Sequence, residues 1–138
     1  MNVVIDTNII VRTLVNPKSE GDAEQREIAI NLFQKFDKVI IPTHVFCELA
    51  WLLKGYNFQK QQIYFAFQAI LESDKFVCRE EEIEAGMLML EKDGDFADGV
   101  NEYSGRMIAE GNCLFASFDK QAVQLLNERG IPAMIPGL

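Results

Sequence analysis

Short runs of apolar residues recur along the chain and are separated by longer amphipathic segments. Four of these runs are rich in β-branched or aromatic residues, and a weaker fifth resembles them: residues 3–5, 39–41, 114–116, 133–135 and 76–78. Each run is continuous rather than alternating, which is typical of strands that are covered on both faces of a parallel sheet. The pattern therefore predicts about five short, mostly parallel strands.

The segments between these runs carry apolar residues at the spacing of amphipathic helices. Helices are predicted over residues 24–36, 44–54, 59–71, 81–90, 96–110 and 120–128. Thr43 is the expected N-cap of the second helix, and Gly111 and Gly130 are suited to end the last two in a left-handed conformation. Strands that alternate with helices in this way predict an α/β fold, namely a three-layer α/β/α sandwich with a mostly parallel, about five-stranded sheet.

Length and composition are those of one globular domain. The chain has 138 residues, of which 49% are hydrophobic and 25% charged, and it contains no repeat or linker-like tract. We therefore expect a single domain over residues 1–138. No apolar run approaches the ~20 residues that span a bilayer. The N-terminal residues also lack the basic and small-residue pattern of a signal peptide, so a cytoplasmic protein without a membrane segment is expected.

Cysteine content and charge narrow the chemistry further. The three cysteines, Cys47, Cys78 and Cys113, are widely spaced and form no zinc-binding pattern, so they are expected to be reduced thiols. The net charge of −8 argues against passive binding to nucleic acid, which normally needs a basic face. An acidic pocket that attracts phosphate only after it binds cations remains compatible with this charge.

Acidic residues follow two of the predicted strands. Asp6 comes directly after the first strand, and Asp119 follows the strand at 114–116. Ligands bind outside the carboxyl ends of the strands in an open parallel sheet, so both carboxylates are expected at one edge. Asp98 lies in the first turn of the helix that leads into the strand at 114–116, which places it on the same side.

Glu48 is the fourth acidic residue of interest. It lies within HVFCELAWLL, where apolar residues surround it in sequence. A charged glutamate is costly to bury there unless a cation or a hydrogen-bond donor meets it. A solvated position on the helix surface is the simpler alternative.

Simpler explanations also exist for the aspartates. Asp6 or Asn8, and likewise Asp119, have residue types that commonly cap helices. Asp95 is suited to the N-cap of the helix at 96–110, with Asp98 in its first turn favoured by the helix dipole. On this interpretation Asp95 starts the helix, and Asp98 is the carboxylate that points into an acidic cluster.

Helix capping alone does not explain why four carboxylates are expected at the same place. These are Asp6, Glu48, Asp98 and Asp119. Four carboxylates at one sheet edge, without lysine or arginine in the same motifs, repel one another unless a cation lies between them. Oxygen-only ligand sets suit hard divalent cations such as Mg²⁺ or Mn²⁺.

The motifs in which these residues stand resemble those of PIN-domain nucleases, and in particular the VapC-type ribonuclease toxins of prokaryotic toxin–antitoxin pairs. The motifs are D-T-N at 6–8, V-x-x-E-L at 45–49, D-F-A-D at 95–98 and S-F-D at 117–119. The resemblance implies that Asp6, Glu48, Asp98 and Asp119 are the metal ligands and catalytic residues. It also implies supporting roles for Thr7, Asn8 and Ser117. Gly99 stands where the family more often has alanine, which suggests a local weakness of the helix.

The resemblance implies a function as well. A Mg²⁺- or Mn²⁺-dependent endoribonuclease would hydrolyse phosphodiester bonds of RNA through a water molecule activated by the metal, leaving a 5′-phosphate and a 3′-hydroxyl. Such a chain would be the toxin of a type II toxin–antitoxin system, paired with a small antitoxin protein and expected to form a homodimer. The helices at 44–54 and 59–71 are candidates for these contacts or for core packing. Arg12, Lys54 and Arg106 are candidates for contact with the RNA backbone.

Other readings of the acidic residues fit less well. A phosphatase of the haloacid dehalogenase type needs a second aspartate two residues after Asp6, where this chain has Asn8. A receiver domain needs a phosphate-pairing lysine at the end of a late strand, and Lys120 follows Asp119 too directly for that role. The alternative that stays open is a catalytically inactive PIN-like module that binds RNA or a protein partner.

Overall fold

The computed structural model describes all 138 residues, as seven helices and five strands. The strands are β1 (Asn2–Val4), β2 (Lys38–Ile40), β3 (Phe76–Val77), β4 (Phe115–Ala116) and β5 (Ala133–Met134). The helices are α1 (Thr7–Leu14), α2 (Glu20–Lys35), α3 (Thr43–Gly55), α4 (Lys60–Glu72), α5 (Glu80–Glu91), α6 (Phe96–Ile108) and α7 (Lys120–Glu128). The chain forms two compact units, residues 1–80 and residues 81–138.

The first unit contains a three-stranded parallel sheet. Its strand order is β1-β2-β3, and Val39 at the centre of β2 pairs with Val3 on one side and Phe76 on the other. Helices α3 and α4 pack through an edge-to-face contact between the rings of Phe46 and Phe67, whose centroids lie 5.2 Å apart. Both rings are fully buried. This contact fixes one face of α3 in the core and leaves the opposite face outward.

The second unit contains a two-stranded parallel sheet, β4-β5. Its core includes Met89 of α5 and the buried face of α7, with Leu126 fully buried. Beyond β4, the backbone N–H of Ser117 donates to the carbonyl of Met134 at 3.1 Å. The strand therefore delivers the chain in a fixed position to the start of α7.

The predicted α/β class is confirmed, and all the strand pairings are parallel. The five strands lie at the predicted positions within one residue, divided between the two sheets. Helix α1 lies outside the predicted helices, and Asp6 is its N-cap, which confirms the capping explanation for this residue. The left-handed conformations of Gly111 and Gly130 are confirmed, with φ of +83° and +76°. Helix α6 ends at Ile108, two residues before the predicted end.

The expected N-cap of α3 was wrong. Pro42 occupies the N-cap position with extended φ and ψ of −62° and 151°, and Thr43 is the first helical residue. The fixed φ of proline already suits an extended residue that precedes a helix. No side chain caps this helix, so the hydroxyl type of Thr43 was a misleading signal.

Gly99 serves a packing purpose that its sequence position did not reveal. A Cβ added there would collide with the backbone carbonyl oxygen of Ala85 and lie 2.7 Å from Cγ of Met89. The absence of a side chain therefore lets α6 approach α5 closely, and the expected local weakness is instead a requirement of this contact. Gly86 has the same function in α5, because a Cβ there would lie 2.5 Å from the Phe96 ring.

Replacement of Gly99 by alanine is expected to destabilise the protein. Overpacking against the Ala85 backbone typically costs ~1–3 kcal/mol, which exceeds the gain of up to ~1 kcal/mol in helix propensity. Gly105→Ala in the same helix is the matched control, because Gly105 is exposed and nothing lies within 4 Å of an added Cβ. That variant should be more stable than wild type. Urea unfolding of both variants measures the difference, and equal stability would contradict the packing role of Gly99.

Candidate metal centre

Three carboxylates of the second unit lie close together. One oxygen each from Asp95, Asp98 and Asp119 forms a group in which all lie within 4.8 Å of one another. Two helix starts bring them together, since Asp95 is the N-cap of α6, Asp98 lies in the first turn of that helix, and Asp119 is the N-cap of α7. Asp95 and Asp119 are exposed, whereas Asp98 is half-buried. We call these three residues the acidic cluster.

Asp119 both caps α7 and belongs to the acidic cluster. Its Oδ1 accepts a hydrogen bond from the backbone N–H of Ala122 at 3.1 Å, so the capping explanation is correct for this residue. The hydroxyl oxygen of Ser117 accepts a bond from the backbone N–H of Asp119 at 3.0 Å. Ser117 thus fixes the turn between β4 and α7, which is how it can orient the carboxylate that follows.

Asp95 differs from the expectation that it only starts α6. Its backbone has the extended conformation of an N-cap, but its side chain makes no capping hydrogen bond. The carboxylate lies with Asp98 and Asp119 instead. Asp95 is therefore a member of the cluster that was not predicted from the sequence. The available signal was the D-x-x-D spacing, which puts both side chains on the first turn of one helix.

The carboxylates of the acidic cluster repel one another without a compensating charge. Two full charges separated by 4.8 Å repel by ~1 kcal/mol in water-like surroundings and by ~3–4 kcal/mol at an effective dielectric constant of ~20. Burial, and secondly the charges of Asp95 and Asp119, raise the pKa of Asp98 above its ordinary value. No lysine or arginine forms an ion pair with any of the three. A set of carboxylate oxygens without a cationic partner fits a hard divalent ion such as Mg²⁺ or Mn²⁺.

The first unit holds the other two acidic residues of interest, Asp6 and Glu48. Asp6 caps α1, and its Oδ1 accepts the backbone N–H of Thr7 at 2.7 Å. The buried Thr7 hydroxyl donates to Oε2 of Glu48 at 2.8 Å. Thr7 therefore ties the carboxyl end of β1 to α3 and holds the Glu48 carboxylate in place. Asn8 is exposed and lies on the rim of a groove between α1 and α2.

Glu48 is exposed, so the simpler alternative of a solvated position on the helix surface is correct. Its neighbours in sequence are apolar because α3 buries much of its circumference. Val45, Leu49 and Leu53 are buried in the core, while Glu48 lies on the exposed side of the helix. Apolar neighbours along a helix do not imply burial, since they project at about 100° steps around its axis.

Two of the three basic candidates for RNA contact are engaged within the protein. Arg12 forms an ion pair with Asp22 at 3.1 Å. Arg106 binds the buried carboxylate of Glu102 with two nitrogens at 2.8 and 3.2 Å, and Glu102 accordingly raises the pKa of Arg106. Lys54 is exposed and forms no ion pair, so it is the candidate that stays available to a ligand.

A family comparison assigns the fold. The PIN domain family model matches residues 3–103, which is most of the chain, and the chain therefore belongs to the PIN domain family. PIN domains are generally nucleases, typically use divalent metals and commonly bind RNA. The matched range includes Asp6, Glu48 and Asp98, whereas Asp119 follows it. No curated protein matches the chain significantly. None of the helices combines the length and the apolar character that crossing a membrane requires.

Neutralising Asp98 is expected to stabilise the protein when divalent ions are absent. The pKa of Asp98 is raised in the folded state, so its ionisation opposes folding, and this penalty is fully present at neutral pH. Asp98→Asn should therefore unfold at a higher temperature than wild type in EDTA at pH 7. As the pH falls below the ordinary value of 3.8, both forms are uncharged at this position and the difference should disappear.

The control for this comparison is Asp74→Asn. It removes one exposed charge outside the acidic cluster from a chain of net charge −8. A difference confined to Asp98→Asn assigns the effect to local repulsion. Equal stabilisation by both variants would show that only the overall charge matters.

Proposed function

We propose that the chain is a metal-dependent endoribonuclease and acts as the VapC-type toxin of a type II toxin–antitoxin system. The observation that carries the proposal is the acidic cluster of Asp95, Asp98 and Asp119, which has no cationic partner in a chain of the PIN domain family. The resemblance of the D-T-N, V-x-x-E-L and S-F-D motifs to VapC-type toxins supports the narrower assignment. Residues 1–138 would then form one PIN domain.

The proposed metal ligands are Asp6, Glu48, Asp98 and Asp119, with Asp95 as an addition from the structure. Mg²⁺ and Mn²⁺ both suit these oxygen donors. A divalent ion, when bound, lowers the pKa of a water molecule and stabilises negative charge on the scissile phosphate during hydrolysis.

The chain's own residues prepare this site. Thr7 holds the Glu48 carboxylate through its hydroxyl, and Ser117 fixes the turn that presents Asp119. The raised pKa of Asp98 reflects burial and repulsion, so a bound cation would lower this pKa and stabilise the ionised form of the donor set. Asn8, exposed next to Thr7, is the proposed hydrogen-bond donor to substrate or water.

The proposed partners follow from the same assignment. A small antitoxin protein with basic residues would complement the negative net charge of −8 and cover the acidic residues. Helices α3 and α4 are the proposed candidates for contact with this partner or for a homodimer. The proposed location is the cytoplasm, where the RNA substrate and reduced thiols would both occur.

Loss of a proposed ligand should abolish RNA cleavage. Removing groups that merely support metal ligands costs about 10–100-fold, so Asp6→Asn and Asp98→Asn are each expected to lower the cleavage rate of single-stranded RNA by more than ~100-fold. Thr7→Val should reduce it by about 10–100-fold, because it frees the Glu48 carboxylate. EDTA should stop cleavage and added Mn²⁺ should restore it. Full activity of Asp98→Asn would exclude Asp98 as a ligand of the catalytic metal, and Asp74→Asn is the control that should retain activity.

Titration calorimetry with Mn²⁺ separates the active nuclease from the inactive module. If all four proposed ligands hold the same ion, Asp6→Asn and Asp98→Asn should each weaken Mn²⁺ binding. If Asp6→Asn leaves the affinity unchanged, only the acidic cluster of the second unit binds metal. Tight Mn²⁺ binding without RNA cleavage would favour the catalytically inactive PIN-like module.

The toxin role has its own test. Induced expression of the wild-type chain in bacterial cells is expected to arrest growth, whereas Asp98→Asn should be tolerated at the same protein level. Immunoblotting and thermal unfolding would establish that both proteins accumulate and fold. Equal growth of the two strains would contradict the toxin assignment but would leave RNA cleavage in vitro as a separate result.

A further inference from the structure

The outward face of α3 carries an exposed aromatic ring beside one of the proposed metal ligands. His44, Glu48 and Trp51 are exposed on this face, while the core residues of α3 lie on the other side. Trp51 follows Glu48 by three residues, which places the two side chains on adjacent turns of one helix face. The indole is 75% exposed, an unusual position for the single tryptophan of the chain.

The positions of α3 around Trp51 carry no large apolar side chain. The positions three and four residues away are Cys47, Glu48, Lys54 and Gly55, and none is a large apolar residue. The core of a protein–protein interface is instead a contiguous apolar area in which charged residues are depleted. Single-stranded nucleic-acid binding combines rings that stack on bases with cations that contact phosphates, and Trp51 with the unpaired Lys54 offers both kinds of group on one helix face.

The second unit repeats this arrangement at its own acidic residue. Phe118 is 80% exposed and directly precedes Asp119, whose side chain caps α7. Lys120 follows at once, is exposed and forms no ion pair. Each unit therefore presents a proposed metal ligand, an exposed aromatic ring and an available lysine within seven residues or fewer.

We infer that Trp51 and Phe118 are substrate-binding residues, and that each stacks on a nucleobase of single-stranded RNA while Lys54 and Lys120 contact phosphates. The choice of RNA as ligand depends on the proposed function. Every nucleobase has an aromatic face, so stacking of this kind gives affinity with little sequence preference. It also gives an acidic chain local points of attachment to RNA, although its net charge of −8 opposes long-range attraction.

Tryptophan fluorescence tests the inference directly, because Trp51 is the chain's single tryptophan. The probe is a short single-stranded oligoadenylate added to the wild-type protein in EDTA, which allows binding to be followed without metal-dependent cleavage. Stacking is expected to quench the emission in a saturable manner. An abasic ribose-phosphate oligomer of equal length should leave the emission unchanged, since it offers phosphates without bases. Quenching that is equal for the two oligomers, or absent for both, would overturn the role of Trp51.

Variants extend the test to both rings, with affinity measured from the anisotropy of a labelled oligoadenylate. Trp51→Leu and Phe118→Leu are each expected to weaken binding about tenfold or more, and Trp51→Phe should recover most of the lost affinity. Phe65→Leu is the matched control, because Phe65 is also exposed, at 56%, but lies on α4 away from any proposed ligand in sequence. Unchanged affinity of both leucine variants, or an equal loss in Phe65→Leu, would overturn the inference.

Two further outcomes separate this inference from its alternatives. If sedimentation shows a dimer in which Trp51 emission becomes that of a buried indole and RNA no longer quenches it, Trp51 belongs to a contact between copies and the inference fails. If RNA binding depends on both rings but no cleavage occurs with Mn²⁺, the nuclease proposal fails while the stacking residues are supported. Cleavage that survives in Trp51→Leu at saturating RNA, with a raised KM and an unchanged kcat, supports a role in binding rather than in chemistry.

Discussion

The mutual repulsion of Asp95, Asp98 and Asp119 is the constraint on which the candidate site depends. Each of these carboxylates lies at the N-terminal end of a helix, where the helix dipole stabilises a negative charge by ~0.3–1 kcal/mol. This gain is smaller than the repulsion of up to ~3–4 kcal/mol per pair that their spacing implies. The helix starts thus hold the carboxylates in position but do not compensate their charges fully. A bound divalent cation would remove the remaining repulsion.

Packing behind the acidic cluster sets its electrostatics. The absence of a side chain at Gly99 allows α6 to approach the backbone of Ala85, and the Phe96 ring lies over Gly86. Asp98 lies between Phe96 and Gly99 in the turn that makes these contacts, so it is the half-buried member of the cluster. Burial is the first cause of its raised pKa. The close approach of the two helices therefore buries Asp98 and makes its ionised form less favourable than it would be in water.

The strands and all the helices except α1 could be predicted from the apolar pattern, because each depends on local periodicity. Strand ends also pointed to Asp6 and Asp119, since the carboxyl ends of parallel strands collect ligands in this class of fold. Properties that depend on contacts between distant residues were not accessible. Glu48 is exposed because the opposite face of α3 packs against α4. Glycine is required at position 99 because the backbone of Ala85 lies so close to it. Asp95 was missed because a good capping residue type does not reveal whether its side chain caps.

The negative net charge and a role in RNA binding become compatible when recognition is local. Arg12 and Arg106 are already paired with Asp22 and with the buried Glu102, so the guanidinium groups stabilise the fold instead of presenting a basic face. Counterion release from many phosphates, which drives binding by basic proteins, is then a small contribution. Stacking on exposed rings needs no net charge, and a divalent ion attracts phosphate only where it is bound. If the proposed function is correct, the acidic surface disfavours nonspecific binding of RNA elsewhere on the protein. RNA would then bind at the exposed rings and lysines that lie beside the proposed metal ligands.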